Sequence, residues 1–251
     1  MSDQESFMSH LIELRSRLVR AVGAVLALFL LLFVWPGSGY IYDLLAAPLM
    51  SALPEGAKMI ATGVITPFMV PVKVTALAAF LIALPYVLYQ AWAFVAPGLY
   101  EHEKKLALPL VIASTVLFLA GVAFCYYIVF VRVFTFIHNF APKSITPAPD
   151  IEAYFSFVIT MFLAFGVTFE IPIVVILLVR MGLVSVDKLR DARPYVIVGA
   201  FVVAAVVTPP DVLSQFMLAL PMCLLYEAGL FLARFISVRQ KEPSDYKAES
   251  G

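Results

Sequence analysis

Residues 74–100, VTALAAFLIALPYVLYQAWAFVAPGLY, run for 27 positions without a charged side chain. A helix needs about 20 apolar residues to cross the roughly 30 Å hydrocarbon core of a bilayer. Lipid offers no hydrogen-bond partners to bare backbone, so such runs must be helices or barrel strands, and this length favours helices. Because similar runs recur along the chain, the sequence predicts an all-α integral membrane protein.

The composition of the 251 residues supports this fold class. Apolar and aromatic residues make up 63% of the chain and charged residues 14%, whereas a soluble domain carries about 25% charged residues. Seventeen basic and seventeen acidic side chains cancel, which removes the electrostatic argument for binding nucleic acid. Both cysteines, Cys125 and Cys223, lie in apolar runs and are expected to be packing residues.

Six spans are expected, at about residues 18–36, 70–96, 107–138, 152–180, 194–208 and 212–234. They form one domain over residues 1–236, and prolines within several spans should curve the bundle. Residues 237–251 are expected to be a flexible cytoplasmic tail. The fifth span has fifteen residues and reaches only about 22 Å, so the bilayer should thin around the Thr208-Pro209-Pro210-Asp211 corner.

The distribution of basic residues predicts the orientation in the membrane. The side with few positive charges has four, and the opposite side has thirteen: Arg15, Arg17, Arg20, Lys104, Lys105, Arg180, Lys188, Arg190, Arg193, Arg234, Arg239, Lys241 and Lys247. The positive-inside rule therefore places both termini in the cytoplasm, which an even number of spans requires. The polar N-terminus does not resemble a cleavable leader or a transit peptide, which suggests a bacterium or an organelle genome.

Motifs for catalysis or metal binding are absent from the sequence. The run HEKKL at residues 102–106 begins like a helical zinc signature, but leucine stands where the second histidine is required. The sequence has neither a Gly-Lys-Ser or Gly-Lys-Thr phosphate loop nor a Gly-x-Ser-x-Gly nucleophile turn. We therefore expect a protein that is not an enzyme and needs no cofactor or metal. An intramembrane protease is the enzymatic alternative, and the sequence disfavours it because no pair of nucleophile and base can be identified.

Two acids at the cytoplasmic rim are candidate binding residues. Glu13 lies in a segment with apolar residues at helical spacing, which predicts an amphipathic helix at the membrane interface, and Glu103 lies in the turn after the second span. Together they could clamp guanidinium groups, whose planar forks donate paired hydrogen bonds that an ammonium group cannot match. The simpler alternatives are a solvated loop acid for Glu103 and, for Glu13, an ion pair with Arg17 one turn later.

Glu170 lies inside the fourth span, where a central charged residue costs about 2.5–3.5 kcal/mol on insertion scales. It could be protonated, paired with a polar group such as Gln215 in the sixth span, or offered to a helix of another chain. Glu227 is expected to extend to the cytoplasmic interface beside Arg234. Because an intramembrane acid favours function, Glu170 is a further candidate site.

Several of these motifs together resemble the core subunit of the twin-arginine protein translocase, the TatC family. They are HLIELR at residues 10–15, PYVLYQAWAFVAPGLY at 85–100, FGVTFEIP at 165–172, RPY at 193–195 and TPPD at 208–211. The resemblance covers about Ser6 to Arg234 in order. It implies a six-helix, glove-shaped receptor that exports folded proteins across the bacterial inner membrane, using the proton-motive force.

The resemblance also implies roles for individual residues. Glu13 and Glu103 would meet the paired arginines of signal peptides, with Arg15, Phe94 and Tyr100 at the same surface. Glu170 and Gln215 would form an intramembrane polar site for the helices of small single-span subunits of the TatA and TatB type. Pro48 and Asp211 would be required on the periplasmic side, and self-association into a larger receptor complex is expected. The residues alone leave open a small-solute or ion transporter using Glu170 and Gln215 at mid-depth.

Overall fold

The computed structural model describes residues 2–52, 58–95, 107–140, 148–208 and 211–241. Across these ranges the regular structure is helical, and the only β-type pairing is a single-residue bridge between Ile60 and Asp150. The ten α-helices are α1 Ser2–Leu32, α2 Ser38–Ala52, α3 Thr66–Val95, α4 Ala107–Phe124, α5 Phe130–Phe140, α6 Ile151–Phe169, α7 Ile171–Arg180, α8 Val186–Asp191, α9 Arg193–Val207 and α10 Val212–Lys241.

Five helical stretches are long and apolar enough to cross a membrane: 11–47, 66–94, 108–137, 151–180 and 212–235. A sixth apolar helix, α9, has fifteen residues. The all-α membrane fold expected from the sequence is confirmed. The short fifth element also occurs where the sequence predicted it.

The N-terminal segment differs from the expectation of a separate interfacial helix. Helix α1 continues without interruption from Ser2 to Leu32, because the sequence between the amphipathic and apolar parts contains no proline. The break comes later, in a kink at Phe33–Gly37, where Trp35 has extended backbone angles and Gly37 has a φ of 95°. A φ in this region favours glycine. The chain is thereby redirected from the first span into α2.

The fourth span is interrupted at Glu170, which separates α6 from α7. Pro172 stands in the first turn of α7, where its missing amide hydrogen is tolerated, but it cannot continue the hydrogen bonding of α6. The third span contains a π-helical segment at Cys125–Val129 between α4 and α5. Prolines and π-helical turns therefore bend these spans, as expected for a curved bundle.

Aromatic and small residues form the packed centre of the molecule. Phe130, Phe155, Phe162 and Phe165 are fully buried, and the rings of Phe130 and Phe162 stack with centroids 5.4 Å apart. Helices α4 and α6 approach closely at a glycine: a methyl group on Gly121 would lie 2.5 Å from the Phe165 carbonyl oxygen. Such close contacts fix the relative positions of the helices that carry the polar residues described next.

Candidate binding surfaces

A groove of about 300 Å³ lies between the cytoplasmic halves of α1 and α3. Its walls are largely apolar, and the lining residues are Leu14, Arg17, Leu18, Ala21, Val87, Gln90, Ala91 and Phe94. Helices α1 and α3 are in contact, and the small side chains of Ala21 and Ala91 leave space between them. The groove brings the N-terminal helix and the end of the second span to one surface.

Glu13 lies beside this groove and pairs with Arg17 one turn later. The Arg17 Nη2 and Nε atoms donate to Glu13 Oε1 at 2.6 and 2.9 Å. The Glu13 side chain remains 36% exposed. The ion pair that was the simpler expectation for Glu13 is therefore present, while the carboxylate stays within reach of solvent. Arg15 lies on the same helix and is exposed.

Gln90 was missed by the sequence analysis. It lines the groove between α1 and α3 and is 5% exposed, yet its Oε1 atom has no hydrogen-bond partner among the described residues. A buried amide oxygen without a donor costs about 1–3 kcal/mol, which marks this position as able to receive a donor. Phe94, four residues further along α3, is partly buried at the same groove.

Glu103 of the expected clamp and Tyr100 of the same surface lie outside the described residues. The separation of the Glu13 and Glu103 carboxylates is therefore still a prediction. The helices on either side of the turn are described, and α3 ends at Val95 while α4 begins at Ala107. The groove with Glu13 and Phe94 lies at the end of α3 from which this turn departs.

Glu170 is buried at the junction of α6 and α7, with 9% of its surface exposed. Among the described residues, neither carboxylate oxygen has a partner with good hydrogen-bond geometry, and the neighbouring polar group is the hydroxyl of Ser114. Ser114 is fully buried and already accepts a hydrogen bond of 2.8 Å from Trp92 Nε1. Trp92 and Ser114 thus connect the second and third spans to this acid.

Gln215 does not pair with Glu170, so that alternative is wrong. Gln215 Nε2 donates to the backbone oxygen of Phe201 in α9 at 3.2 Å. Helix α10 meets the region after Glu170 at Gly229, where an added methyl group would lie 2.9 Å from Pro172 Cα. Gln215 is fourteen residues from Gly229, roughly 20 Å along the helix. The two residues therefore lie at different depths.

Glu227 has a partner from the neighbouring helix, which the sequence analysis did not anticipate. Its carboxylate accepts a hydrogen bond from the Arg193 guanidinium at the start of α9. One residue earlier, Tyr226 Oη donates to the backbone oxygen of Leu189 in α8 at 2.7 Å. These contacts fasten α10 to the segment before α9. Glu227 is held by a second helix and is about half exposed.

Pro48 lies in α2, a helix that the sequence analysis did not predict. Proline has no amide hydrogen, so the Leu44 carbonyl four residues earlier lacks its usual helical donor. Tyr126 Oη donates to this carbonyl oxygen at 3.0 Å, and Tyr154 Oη donates to the Leu45 carbonyl oxygen at the same distance. These two tyrosines hold α2 against the third and fourth spans.

The segment before α3 is tied to the start of α6 by two acids. The carboxylate of Asp150 caps α6 by accepting from the amides of Glu152 and Ala153, and it also accepts from Thr62. The Ala153 amide and the Thr62 hydroxyl, the largest contributions, hold the pKa of Asp150 below its usual range. Glu152 accepts from Lys73 Nζ at 3.0 Å and from Thr66.

Asp211 has a structural role at the start of α10. Its Oδ1 atom accepts a hydrogen bond of 2.7 Å from the Ser214 amide, which satisfies one of the unpaired donors of the first helical turn. Cys125 and Cys223 are free thiols, buried and partly buried. Within the described ranges, no group of three His, Cys, Asp or Glu side chains is placed to hold a metal ion.

Known proteins resemble this chain over most of its length. The sequence model of the family described as Sec-independent protein translocase protein (TatC) matches residues 9–221. The TatC protein of Halothiobacillus neapolitanus is 53% identical over 91% of this chain, which spans 62% of that relative's length. The TatC protein of Haemophilus influenzae is 50% identical, with 96% of this chain and 94% of the relative covered.

A solved structure gives the same answer for the fold. A crystal structure described as a twin-arginine translocase receptor, TatC, superposes with a TM-score of 0.80 and 36% sequence identity. The match covers 91% of this chain and 99% of the crystallised chain. The chain therefore belongs to the TatC family, as the multi-pass receptor subunit of the twin-arginine protein translocase in the bacterial inner membrane, and it is not an enzyme.

Proposed function

We propose that this chain binds the twin-arginine signal peptides of folded precursor proteins at the groove between α1 and α3. The observation that carries the proposal is the position of a partly exposed carboxylate, Glu13, beside an apolar groove. A signal peptide offers guanidinium groups and an apolar segment. The carboxylate complements the first and the groove complements the second.

Arginine recognition at Glu13 is an exchange of partners. The carboxylate already holds the Arg17 guanidinium, so an arriving arginine replaces one planar fork by another. A lysine of the signal peptide would have to displace the Arg17 guanidinium with an ammonium group, which cannot donate two parallel hydrogen bonds to the carboxylate. We propose that Glu103 receives the second arginine, and that Arg15, Phe94 and Tyr100 contribute to the same surface.

Affinity requires more than the ion pairs. An exposed pair contributes only about 0–1 kcal/mol, so two carboxylates alone would bind weakly. Burial of apolar side chains in a groove of about 300 Å³ adds the non-polar contribution. Binding should weaken with increasing salt, because the rim charges face solvent.

The second part of the proposal concerns other translocase subunits. We propose that small single-span subunits of the TatA and TatB type bind at Glu170 and Gln215, and that the receptor self-associates in a larger complex. Because Glu170 and Gln215 lie roughly 20 Å apart along the helices, they would serve as two contact points at different depths. Transport of the folded cargo would use the proton-motive force.

Site-specific photocrosslinking tests both parts in one design. Photoreactive residues at positions 14 and 18, which line the groove and leave both acids in place, should capture an Arg-Arg signal peptide, and those at 170 and 215 should capture partner helices. Glu103→Ala should abolish peptide capture from position 14. Glu101→Ala, which removes an acid from the same turn, is the matched control and should leave capture unchanged.

Two results would separate the alternatives. Unchanged capture with Glu103→Ala would refute the clamp, and no capture by the chain with both acids in place would favour a small-solute transporter. A signal peptide with Lys-Lys in place of Arg-Arg that is captured equally well would refute guanidinium recognition. Loss of partner capture from positions 170 and 215 alone would refute only the second part.

A further inference from the structure

A second groove, of about 530 Å³, lies between α3 and α6 on the opposite half of the molecule from the α1–α3 groove. Both helices begin on the external side of the membrane and run parallel towards the cytoplasm. Residues at matching positions of the two helices therefore lie at similar depths along the groove. Lys73 and Ser156 line its external end, Leu77 and Ile159 its middle, and Phe80 and Leu163 its inner end. No part of the proposed signal or partner binding uses these residues.

The lining changes from charged to apolar along the groove. Lys73 is 44% exposed at the end that faces the external headgroups. Seven residues further along each helix, about 10 Å deeper, the lining consists of Phe80 and Leu163. The groove thus has a charged end at the level of the lipid headgroups and an apolar end deeper in the membrane. A phospholipid has the same arrangement, because its charged phosphate lies above its apolar acyl chains.

The charges at the external end select among headgroups. Lys73 pairs with Glu152 at 3.0 Å, so the external end carries one ammonium group and one carboxylate. This pair has no net charge and gives an anionic lipid no overall attraction. A zwitterionic headgroup fits better, because its phosphate can approach Lys73 while its ammonium approaches the half-exposed Glu152.

We propose that the α3–α6 groove binds one phospholipid of the external leaflet with a phosphoethanolamine headgroup. The phosphate accepts hydrogen bonds from Lys73 Nζ, the primary ammonium donates to Glu152, and one acyl chain lies along Leu77, Ile159 and Leu163. A choline headgroup carries no N–H donor for Glu152, and a glycerol headgroup carries no positive charge. Both should therefore bind less well at this site.

Native mass spectrometry of the full chain in mild detergent tests the proposal. Phosphatidylethanolamine, phosphatidylcholine and phosphatidylglycerol with identical acyl chains are added separately, and retained lipid per chain is counted. We expect about fivefold preference for phosphatidylethanolamine, and a loss of about fivefold in Lys73→Gln. Leu163→Trp, which fills the apolar end, should also lose the lipid. Lys58→Gln removes a charge from the same side outside the groove and should retain it.

The outcomes decide the proposal independently of signal-peptide binding. Equal retention of the three lipids, or unchanged retention in both Lys73→Gln and Leu163→Trp, would overturn it. So would a photoreactive residue at position 163 that captures a partner helix and is insensitive to added phosphatidylethanolamine. Thermal unfolding of each variant in detergent without lipid should match the wild-type value, and if one variant unfolds, the other still tests the site.

Discussion

The contact between α4 and α6 at Gly121 leads to a quantitative prediction. A methyl group at this position would lie 2.5 Å from the Phe165 carbonyl oxygen and 2.9 Å from two atoms of the Phe169 ring. Real Cβ atoms do not approach other atoms this closely, so the two helices must separate in Gly121→Ala. Overpacking of this kind costs about 1–3 kcal/mol.

The matched control is Gly199→Ala in α9, where an added methyl group meets no atom within 4 Å. Both substitutions gain the same helix propensity, about 1 kcal/mol from glycine to alanine. The propensity gain therefore cancels in the comparison, and the difference between the two variants reports the steric clash alone. We expect Gly121→Ala to be about 1–3 kcal/mol less stable than Gly199→Ala.

Reversible unfolding in mixed detergent micelles, followed by tryptophan fluorescence, measures this difference. Trp92 is a suitable reporter because it donates to Ser114 in the same helix as Gly121. Equal free energies of unfolding for the two alanine variants would show that α4 and α6 separate without cost. The contact at Gly121 would then not be what holds Ser114 of α4 beside Glu170 at the end of α6.

The remaining predictions concern the external side. The pKa of Asp150 lies below its ordinary value, so its stabilising contribution is complete above about pH 4 and is lost as the pH falls through the lowered pKa. The protection factor of the Thr62 amide, which is its exchange rate relative to the intrinsic rate at each pH, should fall in acid; Asp150→Asn, which keeps an acceptor oxygen, should remove this pH dependence, and an unchanged dependence would contradict the assignment. Spin labels next to Asp211 should report water at a depth where a full-length span would be dry, because α9 has only fifteen residues. A dry signal there would mean that the bilayer does not thin around the α9–α10 corner.

The sequence predicted the spans well because hydrophobic length is a local property. A run such as residues 74–100 needs no knowledge of its neighbours to be identified as a helix that crosses lipid. Helix α9 was predicted with the right length for the same reason, since Arg193 and the Thr208 corner limit it. The fold class and the short fifth helix could therefore be predicted without coordinates.

Contacts between helices could not be predicted in this way. Whether Glu170 meets Gln215 depends on how α7 and α10 are offset, and that offset is set by the close contact at Gly229. Gln90 escaped notice because a single amide in a span is common, and only its burial beside a groove makes it informative. Helix α2 was missed because it lies between spans and has no long apolar run.

The contact between α2 and the tyrosines has a consequence for mutational tolerance. Tyr126 and Tyr154 bind carbonyl oxygens, and every amino acid supplies one, so most substitutions at Leu44 and Leu45 should leave this attachment intact. At position 48, any residue other than proline would bring an amide hydrogen that shares the Leu44 oxygen with Tyr126. The attachment of α2 therefore depends on two phenols in other spans, whereas the side chains at positions 44 and 45 are limited only by their own packing.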